Sequence, residues 1–353
     1  MSLQEVEKVS ITILMDNSTD FLLTNSAHAK RPPLIVNERF HLPPPVAEHG
    51  FSALVNIVKD IKYKAEKNSS IYKNSSSNNN NKTFLFDTGV SENGVIHNAD
   101  IFGIDFNQID GIILSHGHFD HFAGLVNILK RISSSSSSGR PTTTANTNHV
   151  INIFVHPDAF LRRWEIYPDG KRVKSPFLDE KQLQELGAGV HKTTSVSFLP
   201  SEDSPLLLIT GQIPRETSFE KGFPFQYAEN PSDEKNLVPD PLIKDDQAIV
   251  ANVKNKGLVI LTGCGHAGVI NTMNYAKKIT GVDKIYAVIG GFHLPADGGI
   301  YEEAIEPTLK ELQKADPEYI VPCHCTGWKA TNRIIETMPE KFIQTGVGTV
   351  FTF

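Results

Sequence analysis

The chain has little cysteine, no concentrated block of Lys or Arg and no long apolar run. Each absence removes a class of function. Its three cysteines are Cys264, Cys323 and Cys325, and an odd number in 353 residues is not a disulfide framework; a reducing compartment is the simpler setting. Nor is there a Cys-x-x-Cys pair from which to build a thiolate zinc knuckle. A formal charge of −6 with scattered basic residues argues against an enzyme of nucleic acids, whose affinity rests mainly on neutralising phosphates. No apolar run approaches membrane-spanning length, and residues 1–8 lack the basic and apolar regions of a secretory signal. The expectation is a cytoplasmic protein whose partner is a small molecule, with no nucleic acid and no membrane. The sequence leaves an oligomer open.

What remains is a soluble globular composition, 39% hydrophobic and 21% charged, in a chain long enough for a substantial core. Two tracts, 67–82 and 133–148, are rich in Asn, Ser and Thr. They cannot offset the entropy of ordering and read as disordered insertions in a single domain spanning 1–353.

The chemistry is concentrated in Gly111-Ile-Ile-Leu-Ser-His-Gly-His-Phe-Asp-His-Phe-Ala-Gly124. His116, His118, Asp120 and His121 follow directly on the apolar run Ile112–Leu114, which reads as a buried strand. A tight loop at a strand end can splay these side chains toward one point, and Gly117 lets the backbone turn between the first two histidines. Imidazole with carboxylate is the ligand set of zinc and its neighbours. His116 and His118 would hold one ion, and Asp120 and His121 would face a second. Phe122–Ile132 has the spacing of an amphipathic helix that buttresses this loop.

The same device of a strand ending in small residues and a histidine recurs downstream. Gly257–Thr262 runs into Gly263-Cys-Gly-His266, so His266 would complete the first metal site. Lys284–Gly291 delivers His293, read as a pocket residue or proton donor with a structural role equally open. Tyr319–Pro322 leads to His324, the expected last ligand of the second ion. Extended backbone points Cys323 and Cys325 away from His324, and both are read as small apolar packing groups. His49, in Glu48-His-Gly-Phe-Ser52, is a pocket candidate or a surface histidine. Arg162, Arg163, Trp164, Lys171, Arg172 and Lys174 could grip an anion, with solvated surface charge as the alternative.

The pattern H-x-H-x-D-H resembles the metallo-β-lactamase superfamily closely. Leu85-Phe-Asp-Thr-Gly89, Gly211-Gln-Ile-Pro-Arg215, Asp245-Asp-Gln-Ala248, Leu261-Thr-Gly-Cys-Gly-His266, Ile289-Gly-Gly-Phe-His-Leu294 and Pro322-Cys-His-Cys-Thr-Gly327 extend the resemblance to its dihydropteroate synthase-like branch over nearly the whole chain. The resemblance implies an α/β fold, an αββα sandwich of two mixed sheets with outer helices, and two divalent metal ions, zinc first, with manganese or iron as alternatives. It also implies that Asp87 supports the metal loop from a neighbouring strand and that Arg215 contacts substrate. One departure is local: the strand end Gly263-Cys264-Gly265-His266 carries no aspartate where the superfamily usually has one bridging both ions. Cys264 is placed behind the ligands, and Cys264 or the Asp245/Asp246 pair could substitute for that bridge.

Asp120 and His293 are the expected catalytic residues. The implied activity is transferase-like, on a phosphorylated, pterin-like small molecule. The alternative is a hydrolase of an ester, thioester or phosphoester using metal-held hydroxide, and a non-catalytic sensor is disfavoured by the intact ligand set.

Overall fold

A computed structural model describes residues 2–60, 81–137, 150–230, 232–295 and 299–353. Of the two Asn/Ser tracts, residues 67–80 and 138–148 lie outside the described residues. Their edges are ordered differently from the expectation, since Asn81 and Lys82 open a strand and 133–137 continue a helix.

Two large sheets carry the fold among the described residues. The first has the order Gly189–Lys192, Asn152–Val155, Gly111–Ile113, Asn81–Phe86, Ser52–Val58, Lys8–Met15, Val350–Thr352, Ala29–Lys30. The second runs Ser197–Ser201, Ser204–Ile209, Ala248–Val253, Gly257–Thr262, Ile285–Gly290, Tyr319–Pro322, with Glu5–Val6 beside Ala248–Val253. Both sheets mix parallel and antiparallel pairs.

Their strands read as continuous apolar runs because both faces are covered. Period-two alternation sorts the residues between layers. Ile11, Val55, Phe84, Phe86 and Ile113 meet Ile249, Val259, Leu261, Ile289 and Val321 in the cluster between the sheets. Their neighbours Leu54, Leu85, Ile112 and Leu114 face outward, under Val95, Ala99 and Phe102 of the helix Gly94–Phe102 and Leu125, Ile128, Leu129 and Ile132 of the helix Leu125–Ser137. On the other side Val250, Leu258, Ile260, Val288 and Ile320 pack under the helices Val269–Thr280, Gly299–Ala315 and Trp328–Thr337. The result is the expected αββα sandwich. Truncating a side chain such as Phe86, fully buried in the central layer, should cost about 3–5 kcal/mol.

A smaller sheet lies off the sandwich, in the order Arg172–Lys174, Arg163–Ile166, Gln226–Asn230, Asp233–Pro239. It was not legible as strands, because its residues are mixed and charged, and it supplies two supports of the metal loop described below.

Candidate metal centre

The strands ending at Met15, Phe86, Ile113, Thr262, Gly290 and Pro322 release their chains toward one end of the sandwich. Their first loop residues include Asp16, Asp87, His116, Cys264, His293 and His324. Gln247, just before Ala248–Val253, ties the two sheets together there: its N–H donates to Ser115 O at 3.0 Å and its side-chain amide to Leu114 O at 2.8 Å.

Three groups of metal-ligating side chains form at this end. One ligand atom from each of His116, His118 and His266 falls within 4.8 Å of the others, and the same holds for Asp120, His121, Cys264 and His324 and for Cys264, His293 and Cys325, the atom being a ring nitrogen, a carboxylate oxygen or Sγ. The sequence expectation paired these histidines and Asp120 as two ion sites, and the structure brings all six residues together. In the first group His118 Nδ1 lies 3.1 Å from His266 Nε2. In the second, Asp120 Oδ2 is 3.3 Å from His324 Nε2 and 3.7 Å from His121 Nε2.

Supports fix these rings. Asp87 accepts from Ser115 N and Ser115 Oγ, each at 2.7 Å, and its Oδ2 lies 2.7 Å from His121 Nδ1. That contact turns Nε2 of His121 toward Asp120 and Cys264, which is how an outer carboxylate orients a ligand. Gln226 Oε1 lies 3.1 Å from His118 Nε2, leaving Nδ1 for the first group. Asp16 accepts from His324 N at 3.0 Å and steadies that turn. His293 and His324 adopt φ of 44° and 48°, a left-handed conformation that side chains with a Cβ rarely take.

Gly117 meets a different need from the one its type suggests. Its φ is not left-handed among the positive-φ glycines; instead, a Cβ there would stand 2.2 Å from Ala159 O. The loop is pressed against Ala159 and only a bare Cα fits. Gly263 is similar, its Cβ position being 2.2 Å from Ser115 Oγ, so the second sheet can approach the loop of the first.

The electrostatics favour cations. Burial, reinforced by neighbouring histidines, holds His116 and His266 well below the usual imidazole range, and burial with the charge of Arg163 lowers His118 to about 4. All three are neutral near pH 7, the state that ligates. Burial opposes the charged form of His121, but Asp120 and Asp87 outweigh it and raise the ring to about 9. Burial opposes ionisation of Asp120 too, and His121 and His324 overcome it, holding the carboxyl well below its usual range. His116 Nε2, His266 Nδ1 and His324 Nδ1 are buried without a hydrogen-bond partner. A buried polar atom left unpaired costs free energy, and a divalent cation on such nitrogens removes that cost. The donor set therefore fits the metal that the fold implies.

Several residues stand elsewhere than expected. Cys264 is in the ring of donors, its Sγ 3.2 Å from both His121 Nε2 and His324 Nε2. Asp245 and Asp246 are instead turned to backbone: Asp245 accepts from Gly117 N and Asp246 from Ala267 N, both at 2.7 Å. Cys325 is not merely packing, since its thiol donates to Cys264 O at 3.0 Å and borders the site; the turn at His324 breaks the extended geometry that would have hidden it. Arg163 does not grip a ligand. It is 1% exposed and pairs with Asp245 at 2.5 Å and Asp240 at 2.9 Å, bracing Asp245 under Gly117. Arg215, expected to touch substrate, gives its guanidinium to the carbonyls of Ile213, Leu242 and Ile243 and so clamps two loops. Gln226 carried no sequence signal, while Arg163 and Asp245 were singled out for other roles, an anion grip and a metal bridge; each acts instead on the metal loop from a distant segment.

A cavity of about 580 Å³ opens beside the second group, lined by His49, His293 and His324 at one end and by Asn17, Trp328 and Thr345 among others. His49 has a 69% exposed side chain, with Nε2 3.9 Å from Asp120 Oδ2, which places it at the mouth. His293 lies between this cavity and a smaller one. Its ring centroid is 4.0 Å from that of His266, and its Nε2 is 3.3 Å from Tyr301 Oη.

The comparisons agree with this geometry. A family model described as the metallo-beta-lactamase superfamily matches residues 68–187. The chain is 33% identical over 286 residues, 78% of its length and 86% of the relative's, to the 7,8-dihydropterin-6-methyl-4-(beta-D-ribofuranosyl)-aminobenzene-5'-phosphate synthase of Methanocaldococcus jannaschii. It is 29% identical over 308 residues to an uncharacterised protein of the same archaeon, covering 86% of this chain and 93% of that one. The crystal structure of Tm1679, a metal-dependent hydrolase of the beta-lactamase superfamily, superposes with a TM-score of 0.64 at 20% identity, covering 98% of each chain. With the sandwich, the histidine–aspartate loop and this degree of identity, the chain belongs to the metallo-β-lactamase superfamily, in its dihydropteroate synthase-like branch.

Proposed function

We propose that this metallo-β-lactamase-fold enzyme is a transferase that joins an arylamine to a phosphorylated, pterin-like substrate. The observation that carries this reading is the 33% identity over 86% of the M. jannaschii synthase, a relative named for a product that links these two parts. The cavity supports it: about 580 Å³ suits a small molecule, and an indole at its rim, Trp328, can stack on a flat heteroaromatic ring.

His116, His118 and His266 would hold one divalent cation, and Asp120, His121, Cys264 and His324 a second. When bound, such cations neutralise charge on a leaving phosphate and polarise its oxygens. The residues supply the rest. Asp120, kept ionised between His121 and His324, fixes the charge balance of the second group. In the proposed reaction the amine nitrogen forms a bond to the pterin methylene carbon as the carbon–oxygen bond to diphosphate breaks. The surplus amine proton passes to Nδ1 of His293, which is buried and has no partner, while Tyr301 holds the other side of the ring.

Hydrolysis is the second reading. It is favoured by the exposure of His49 beside Asp120, which leaves the donor group open to water as a nucleophile. The deciding experiment is diphosphate release from 6-hydroxymethyl-7,8-dihydropterin diphosphate by metal-loaded protein, with and without an arylamine acceptor. Release that depends on the acceptor, with the joined product seen by mass spectrometry, supports transfer. Acceptor-independent release supports hydrolysis, and no release removes the pterin substrate.

A further inference from the structure

The start of the helix Trp328–Thr337 lines the large cavity through Gly327, Trp328 and Thr331. Its N-cap is Gly327, which has no side chain to cap the first turn. The N–H groups of Trp328, Lys329 and Ala330 donate to no acceptor among the described residues. A helix start left this way presents free donors and the positive end of the helix dipole. A second feature stands in the same cavity: Thr345, 6% exposed, lines it, and its hydroxyl is buried with no hydrogen-bond partner. Asn17 and Gln344 also line the cavity, the Asn17 amide donating to His324 O at 2.7 Å. The nearby carboxylate, Asp16, is turned away, accepting from Asn17 N at 2.8 Å and His324 N at 3.0 Å. Among the described residues, no carboxylate side chain other than Asp16 lines this cavity.

Uncapped amides, an orphaned hydroxyl and no free carboxylate among the described lining residues are the recognition chemistry of a phosphoryl group. We propose that the start of the helix Trp328–Thr337, with Thr345, is a phosphoryl-binding subsite that anchors a phosphate of the substrate within a few residues of His324. This rests on the reading of the protein as an enzyme of phosphorylated small molecules and adds where the phosphate is held. The phosphate is either the monoester of the acceptor or the diphosphate of the pterin donor.

The test is calorimetric titration of metal-loaded protein with inorganic phosphate, which needs no turnover. Gly327→Asp places a carboxylate at the cap, satisfies the free N–H groups and repels an anion; Gly327 has φ −68°, open to any residue. Thr345→Val removes the hydroxyl with little change of shape. The inference expects phosphate affinity to fall about tenfold in Gly327→Asp and severalfold in Thr345→Val, with melting temperature and metal content unchanged. Parental affinity in both variants overturns it. The two sources separate kinetically: a raised KM for the phosphorylated arylamine alone assigns the acceptor monoester, and one for the pterin diphosphate alone assigns the leaving group. If the parent binds phosphate and both variants lose it while no diphosphate is ever released, the subsite stands and the pterin reading fails.

Discussion

Asp87, at the end of the strand Asn81–Phe86, and His121, in the short helix Phe119–Phe122 of the metal loop, are each fully buried and meet at 2.7 Å between Oδ2 and Nδ1. This contact decides which nitrogen of His121 faces the second donor group. Asp87→Asn should therefore weaken one of two metal sites by about 10–100-fold and leave the other near parental affinity. Chelator competition with metal analysis measures this; equal retention of both ions would remove Asp87 from the role.

Asp120→Ala should lower metal content and abolish turnover while leaving far-ultraviolet circular dichroism unchanged, because Asp120 packs against the site and not the central core. Full metal retention by that variant would sink the two-group arrangement.

The two groups should respond differently to pH. His121 is raised to about 9 in the metal-free protein, so a cation entering the second group displaces a proton, and its affinity should fall about tenfold per unit as pH drops below 9. The stability that protonated His121 lends the metal-free fold is complete below about pH 6.5 and is lost as pH rises through about 9. His116, His118 and His266 are already neutral, and the first group should hold its ion down to about pH 5. Metal stoichiometry at pH 5.5 against 8.5 checks the difference, and a parallel loss of both ions would contradict it.

Removing the Arg163 guanidinium should be severe. Arg163→Met leaves the buried Asp245 and the partly buried Asp240 beside each other without a counter-charge, which should cost about 3–5 kcal/mol. Urea unfolding measures it; a loss below about 1 kcal/mol would show that the network is no stronger than a surface ion pair.

Cobalt substitution tests the thiol. A ligating Cys264 should give a sulfur-to-metal charge-transfer band in the near ultraviolet that disappears in Cys264→Ser. A band that survives that change but not Cys325→Ser would move the thiolate to Cys325.

Much of this was readable beforehand for a physical reason. Strand runs such as Ile112–Leu114 and Leu258–Leu261 announce themselves because both faces are apolar, and each ends in the small residues that turn a donor inward. The supports were not readable. Gln226 reaches His118 from 108 positions away, and Asp245 reaches Gly117 from 128; single polar residues at such separations leave no periodic trace. Arg215 misled because a guanidinium beside a turn looks the same in sequence whether it serves a ligand or carbonyls. Trp328 and Thr345 line one cavity only because the last helix and the loop after it fold back on the second sheet.

The left-handed backbone of His293 and His324 sets a constraint on how this chain can drift. Each carries a conformational cost of about 1–2 kcal/mol that glycine would not, and neither ring is needed to fill the central core. A lineage that had lost its chemistry would gain stability by relaxing either position to glycine. The strain thus sits where the site needs a ring, and again at Asp87, with φ 57° at the end of the strand Asn81–Phe86.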